Sequence, residues 1–217
     1  CIGILNDLLD KYDAADIAYI KPCTQCESVQ LLWKFCNEMK ITCHGVGPIV
    51  YRAGYTQECI DGKHGSAEDR LQSIIDAVTE LRAKHKFVLV DGVGYPGVGS
   101  CVGCSNRDYA ARLKCPVLMI SRPGVGNMID SCVMNVEYMA YKNVQTIGTI
   151  VNKIPTKVSY HTPEKIIEYV TKFFSTYSYT INTATPTAPV LKECGITIYG
   201  FVPSYDDEDG GSCATSC

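Results

Sequence analysis

The sequence contains no apolar run near the roughly 20 residues that a membrane-spanning helix needs, no secretory pattern at its start and no block of lysine or arginine. The first absence leaves no candidate helix for crossing a bilayer. The last, with a formal net charge of −3, removes the electrostatic footprint of a nucleic-acid binder, so neither a membrane nor a nucleic acid is expected as partner. Histidine is sparse: four residues, at 44, 64, 85 and 161, and none lies in a motif, so no catalytic histidine is assigned. Internal repeats are absent, and so is an initiating methionine. The chain opens at Cys1 and runs straight into Ile4, Leu5, Leu8 and Leu9, a helical apolar stripe whose first turn would lack a cap. The expectation is that a segment upstream of Cys1 is missing.

What is present fits an ordinary globular chain: 217 residues, 46% hydrophobic and 20% charged. One domain is expected over residues 1–203, followed by an acidic, Gly/Ser-rich mobile tail at 204–217, whose carboxylates Asp206, Asp207, Glu208 and Asp209 read as solvated. Cysteine is abundant, with 13 residues. The count is odd and the thiols are spread through strand-like and helix-like segments. This favours reduced thiols in an intracellular, reducing compartment, cytoplasm or organelle stroma or matrix, over a disulfide framework.

The stretch Phe87-Val88-Leu89-Val90-Asp91-Gly92-Val93-Gly94 organises the chain. A continuous apolar run ending in Asp-Gly predicts a strand buried on both faces, the centre of a parallel sheet. Its carboxylate then falls at the edge where open α/β sheets bind ligands, a place for magnesium. A plain turn aspartate is the competing reading. Around it, helices are predicted at 2–12, 28–39, 66–81, from Ser105 or Asn106 to Lys114, 127–141 and from Pro163, the last with Thr162 as cap. Strands are predicted at 17–20, 45–51, 116–121, 146–152 and 196–203. Residues 52–65 and 178–190 read as loops. Alternating strands and amphipathic helices predict an α/β fold: a parallel, doubly wound sheet with helices on both faces.

Three motifs compete for function. Gly92-Val93-Gly94-Tyr95-Pro96-Gly97 spells a dinucleotide fingerprint, but Pro96 lies inside it and loop, not helix, follows. Gly124-Val125-Gly126 before a helix offers amides to an anion, or is a simple strand-to-helix turn. Cys23-Thr24-Gln25-Cys26 and Cys101-Val102-Gly103-Cys104 have metal-ligand spacing. If their strands are neighbours, four thiolates converge on zinc or an iron–sulfur cluster; the alternatives are unliganded thiols or redox chemistry.

Five motifs occur in order: Tyr19-Ile20-Lys21-Pro22, the strand ending Asp91-Gly92-Val93-Gly94, Ser121-Arg122-Pro123-Gly124-Val125-Gly126, Gly148-Thr149-Ile150-Val151-Asn152 and Tyr199-Gly200-Phe201-Val202-Pro203. Together they resemble dethiobiotin synthetase and its relatives, which include the cobyrinic-acid amidases and the nucleotide-binding domain at the front of long phosphate acetyltransferases. The resemblance implies a P-loop fold binding ATP and Mg2+, a small-molecule substrate and a homodimer. It also implies a ligase reaction, in which a carbamate attacks the γ-phosphate and an amine then displaces phosphate. It places Lys21 near substrate and phosphates; Gly92 and Gly94, in a loop to Gly103 rich enough in glycine for a ligand to approach the backbone closely, are the candidate nucleotide-binding glycines. Asp91 becomes the magnesium ligand, where the family usually has glutamate. Asn152 takes the adenine edge, and Pro203 the loop closing over the base. Two departures stand out. No Gly-x-x-x-x-Gly-Lys-Ser/Thr occurs, and Gly62-Lys63-His64-Gly65-Ser66 has the wrong spacing; by the family order that loop would precede Cys1. Residues 40–65 do not resemble the family's substrate segment. A non-catalytic nucleotide-binding regulatory or scaffold module, and a cysteine-rich metal or redox protein, are therefore the alternative readings.

Overall fold

In the computed structural model, which describes residues 1–25, 30–155, 162–182 and 191–204, the apolar runs and amphipathic stretches form two compact units, Cys1–Arg112 and Leu113–Ser216. Both are parallel sheet flanked by helices, the α/β class that the alternation predicts. No described helix is long and apolar enough to cross a membrane.

The first unit runs α1 (Ile2–Leu9), β1 (Ile17–Ile20), β2 (Cys23–Thr24), α2 (Leu31–Glu38), β3 (Thr42–His44), β4 (Ile49–Val50), α3 (Tyr55–Ile60), α4 (Ala67–Lys84), β5 (Phe87–Val90) and α5 (Asn106–Leu113). Its main sheet has the order β3-β1-β5, all parallel. The expected centre is corrected here. All four residues of β1 are buried because strands flank it on both sides, whereas β5 is an edge of this sheet and its residues are half-buried. Leu5, Ile17, Tyr19, Cys36 and Ile41 form the core beneath α1 and α2. Burial of each such aliphatic or aromatic side chain contributes about 1.5–3 kcal/mol. The expected strand at 45–51 narrows to β4, paired with β2.

Residues 52–65, expected as loop, contain α3. Arg52 and His64 both reach Glu58, at 2.5 and 2.6 Å, and draw the flanks of this short helix together. α4 opens on a capping box. Ser66 Oγ accepts from the Asp69 amide at 3.1 Å and the Ser66 amide donates to Asp69 Oδ2 at 2.8 Å, worth about 1 kcal/mol. The helix buries Leu71, Ile74, Val78 and Leu81. His85 ends it, with Nδ1 2.9 Å from the Leu81 carbonyl and Nε2 3.0 Å from Thr42 Oγ1.

The second unit runs β6 (Val117–Ser121), α6 (Gly126–Ala140), β7 (Thr146–Ile154), α7 (Pro163–Phe174), β8 (Ser178–Asn182), β9 (Leu191–Gly195) and β10 (Thr197–Pro203). Its sheet has the order β10-β7-β6, again parallel. Met128, Cys132, Val136, Val151, Ile166, Val170 and Phe174 make the core between strands and helices. Thr162 caps α7 with Pro163 in its first turn, as expected. The loop expected at 178–190 is corrected at its start: 178–182 form β8, antiparallel to β9. Tyr179 and Ile181 turn inward, and Tyr179 Oη both donates to the Thr146 carbonyl and accepts from its amide, each at 2.8 Å. Residues 183–190 lie outside the described residues. So does the expected mobile tail from residue 205, with its carboxylates.

Candidate functional site

Because β1 and β5 are parallel neighbours with Ile20 opposite Val90, Lys21 and Asp91 leave the sheet side by side at its C-terminal edge. The Asp91 amide donates to the Ile20 carbonyl at 2.8 Å and the Lys21 amide to the His44 carbonyl at 3.0 Å, so both backbones are fixed. Lys21 Nζ lies 3.6 Å from Asp91 Oδ2. Both side chains stay partly exposed, so the ion pair itself contributes roughly 1 kcal/mol or less. The structure thus joins two of the residues singled out in the sequence.

Tyr19 is the residue that sequence reasoning missed. Its hydroxyl donates to Asp91 Oδ2 at 2.6 Å. Burial, and secondarily the adjacent Asp91 carboxylate, push its phenol far above the ordinary value, so it remains a donor at any physiological pH. The signal was present: Tyr19 lies on β1 two residues before Lys21, the period at which extended backbone returns a side chain to the same side. The other carboxylate oxygen, Oδ1, accepts from the Cys1 thiol at 3.2 Å.

The loop after Asp91 is held by another unforeseen residue. The sequence offers Ser105 or Asn106 as the helix cap, and the work falls to Ser105. Ser105 accepts from the Asp108 amide at 3.3 Å and returns its own amide to Asp108 Oδ2 at 3.0 Å. Asn106 instead turns into the loop and is buried. Its Oδ1 accepts from the Val93 amide at 3.1 Å and from the Tyr109 hydroxyl, and its Nδ2 donates to the carbonyls of Val93 at 2.8 Å and Tyr95 at 2.7 Å. A Cβ on Gly92 would stand 2.9 Å from Asn106 Oδ1, so glycine is required there for the clamp to close. Gly94 turns the chain with φ +62°.

Asp91 offers a hard oxygen at a strand end. Among the described residues no group of three or more His, Cys, Asp or Glu is placed to hold a metal. A lone carboxylate still fits magnesium, which commonly takes one or two carboxylates and completes its shell with water and phosphate. The tetrathiolate reading fares differently. Cys26 lies outside the described residues, Cys101 is exposed, and Cys23 and Cys104 are buried and hydrogen-bonded to each other.

In the second unit, Asn152 and Pro203 lie toward the C-terminal ends of the adjacent strands β7 and β10. The pairing passes from Val151–Phe201 to Ile154–Pro203 through an irregularity. Lys153 takes φ +61° within β7, a conformation that costs a non-glycine residue about 1–2 kcal/mol. It bends the strand beside half-buried Asn152. The Ser204 amide then donates to the Ile154 carbonyl at 2.7 Å, tying the end of β10 to β7. Gly126 opens α6, and Val125 before it supplies no capping side chain.

Comparison with known proteins adds a family. A family model described as an AAA domain matches residues 3–209. The chain is similar to the ATP-dependent dethiobiotin synthetase BioD of Brachyspira hyodysenteriae, 28% identical over 128 residues, which cover 56% of each chain. It is similar also to the ATP-dependent dethiobiotin synthetase BioD of Anaeromyxobacter dehalogenans strain 2CP-1, 29% identical over 86 residues, 40% of this chain and 38% of that one. These matches therefore span 56% and 38% of the relatives' own lengths.

Proposed function

Because the chain belongs to this AAA-domain family of P-loop NTPases, with dethiobiotin synthetase-like character, we propose that it serves an ATP-dependent ligation. In this reaction a carbamate or carboxylate oxygen attacks the γ-phosphorus of ATP and ADP leaves. An amine then attacks the resulting acyl phosphate carbon, phosphate departs with the bonding pair, and the nitrogen gives up its proton. The product is a cyclic urea or an amide. The observation that carries this reading is the Lys21–Asp91 pair, 3.6 Å apart at the C-terminal edge of parallel strands, where α/β sheets receive ligands.

The residues divide the work by charge. Lys21 offers a compact cation to a phosphoryl group in transfer. Asp91 would hold magnesium, which when bound offsets the charge of the phosphates. Tyr19 and Lys21 both engage Oδ2, which fixes the carboxylate's orientation. Asn152, with a donor and an acceptor on one amide, suits the adenine edge, and Pro203 lies beyond it on β10. Residues 1–217 contain no Gly-x-x-x-x-Gly-Lys-Ser/Thr, so the reading rests on these side chains and not on a phosphate loop. A second copy of the chain is the expected partner.

The test is phosphate release by the native protein with Mg-ATP, with and without diaminopelargonic acid and bicarbonate. Release stimulated by both substrates supports the ligase. Tight nucleotide binding with no stimulated release would overturn it in favour of a binding module.

A further inference from the structure

Each Cys-x-x-Cys motif contributes one thiol to a buried pair. Cys23 on β2 is 1% exposed and Cys104, where the glycine loop ends, is 0% exposed. Their side chains are hydrogen-bonded to each other, and Tyr51 Oη lies 3.9 Å from Cys104 Sγ. The backbone around both is pinned. β2 pairs with β4, the Tyr51 amide donates to the Thr24 carbonyl at 2.8 Å, and the Cys104 amide donates to the Gly99 carbonyl at 3.1 Å. Cys23 follows Lys21 closely in sequence, and Cys104 closes the loop that Asp91 opens. The sulfur pair therefore joins the two segments that leave the candidate site.

We propose that Cys23 and Cys104 form a reversible disulfide that fastens the Asp91 loop to the Lys21 segment, a redox lock beside the site. Two buried thiols in side-chain contact, on backbone segments held in place by β2–β4 pairing and the Gly99 carbonyl, meet the first requirement of a disulfide, which is that the two Cβ atoms can come within about 3.5–4.5 Å. The oxidant is a low-molecular-weight disulfide, RSSR. When the loop opens, the Cys104 thiolate attacks one sulfur of RSSR, forming a mixed disulfide and releasing RS−. Cys23 then attacks the Cys104 sulfur, gives up its proton and expels the second RS−. One RSSR is reduced to two RSH, and two protein thiols become one disulfide. The roles are asymmetric. Hydrogen bonds from Cys23 and Tyr51, with the Arg70 charge nearby, hold Cys104 below the ordinary thiol range, while Cys23 is pushed up by its contact with Cys104 and by burial. Cys104 is accordingly the nucleophile and Cys23 the resolving thiol.

The experiment uses the unsubstituted protein without nucleotide. It is equilibrated in graded mixtures of reduced and oxidised glutathione, quenched by alkylation, and mapped as non-reduced tryptic peptides. The expected result is a peptide pair whose fragment ions place the bond on Cys23 and Cys104, with Cys26 and Cys101 still open to alkylation or glutathione. Two alkylatable thiols are lost, and amide exchange slows across residues 92–105. The C101S variant keeps the link and C104S loses it. The proposal is overturned if Cys23 and Cys104 remain alkylatable at a ratio that glutathionylates exposed Cys101, or if the bond maps to Cys26 or Cys101. No nucleotide enters this measurement, so its failure leaves the ligase reading untouched, and the converse also holds. Only an effect of the lock on turnover would rest on that reading.

Discussion

A phenol two residues before Lys21 determines how Asp91 is presented. Tyr19 is buried, donates to Oδ2 and shares that oxygen with Lys21. Removing only the hydroxyl in Y19F leaves the ring packed in the core, Lys21 alone on Oδ2 and the Cys1 thiol on Oδ1. Stability should fall by about 1.5–3 kcal/mol, the cost of a lost hydrogen bond to a charged group, read by urea denaturation. If Asp91 holds magnesium, Y19F should also raise the magnesium concentration needed for half-maximal ATP turnover. D91N, which keeps the shape and an acceptor, should instead lower turnover by about 10²-fold or more at any magnesium level. Equal magnesium dependence in wild type and Y19F would remove the positioning role. Glu58 allows a pH test at the same scale. Hydrogen bonds from Arg52 and His64 hold its carboxyl down to about 2, against an ordinary value of 4.5. A depressed folded-state value means that its stabilisation is present above pH 4.5 and is lost as pH falls toward 2. In E58Q the acid limb of the stability profile should be shallower in that window; an unchanged slope would show that the group contributes nothing.

At the scale of elements, the loop from Asp91 to Ser105 has little regular structure of its own and takes its shape from the first residue of α5. Asn106 satisfies a buried amide and two carbonyls with one side chain. N106A should cost about 2–4 kcal/mol, because it strands those backbone groups as well as losing their bonds. Faster amide exchange at residues 93–95 should accompany the loss. N106D retains the acceptor but removes both donors, and should fall between wild type and N106A; if it equals wild type, the contacts to the carbonyls are unimportant. Gly47 supports the other half of the site. A Cβ there would stand 2.3 Å from the Lys21 carbonyl and 2.6 Å from that of Pro22, backbone atoms that cannot swing aside. Neither contact was legible in the sequence, since each joins residues brought together only by tertiary packing. What was legible is what local chemistry dictates: the Ser66 capping box, the Thr162–Pro163 helix start and the apolar face of α4. β8 fell between the two cases. Its period-two alternation, Tyr179 and Ile181 inward and Thr180 outward, was in plain view but was outweighed by the Thr/Pro-rich residues that follow.

For the whole molecule, alternation of apolar runs and amphipathic stretches gave the α/β class correctly, because parallel strands require crossovers and crossovers are usually helices. It could not give strand order. Asp91 was placed on the central strand from four apolar residues in succession, yet β1 fills that place in its sheet, and an apolar run reports hydrophobicity without naming its neighbours. The candidate residues were recognised as a series of short motifs, and the structure distributes them: Lys21 and Asp91 belong to the first unit, Asn152 and Pro203 to the second. Helix-terminal and loop amides normally carry much of the binding of a triphosphate. Residues 1–217 lack the motif that supplies them, and the Val93 amide in the glycine loop is already engaged by Asn106. Under the proposed function, Lys21 by itself would leave most of the phosphate charge unmatched. The polypeptide of residues 1–217 should therefore bind Mg-ATP more weakly than about 10 μM, a binding free energy of roughly −7 kcal/mol. Isothermal calorimetry decides the matter. A dissociation constant near 1 μM that is weakened tenfold by K21A would show that Lys21 holds the phosphates without the loop, through further contacts that the glycine segment would then have to supply.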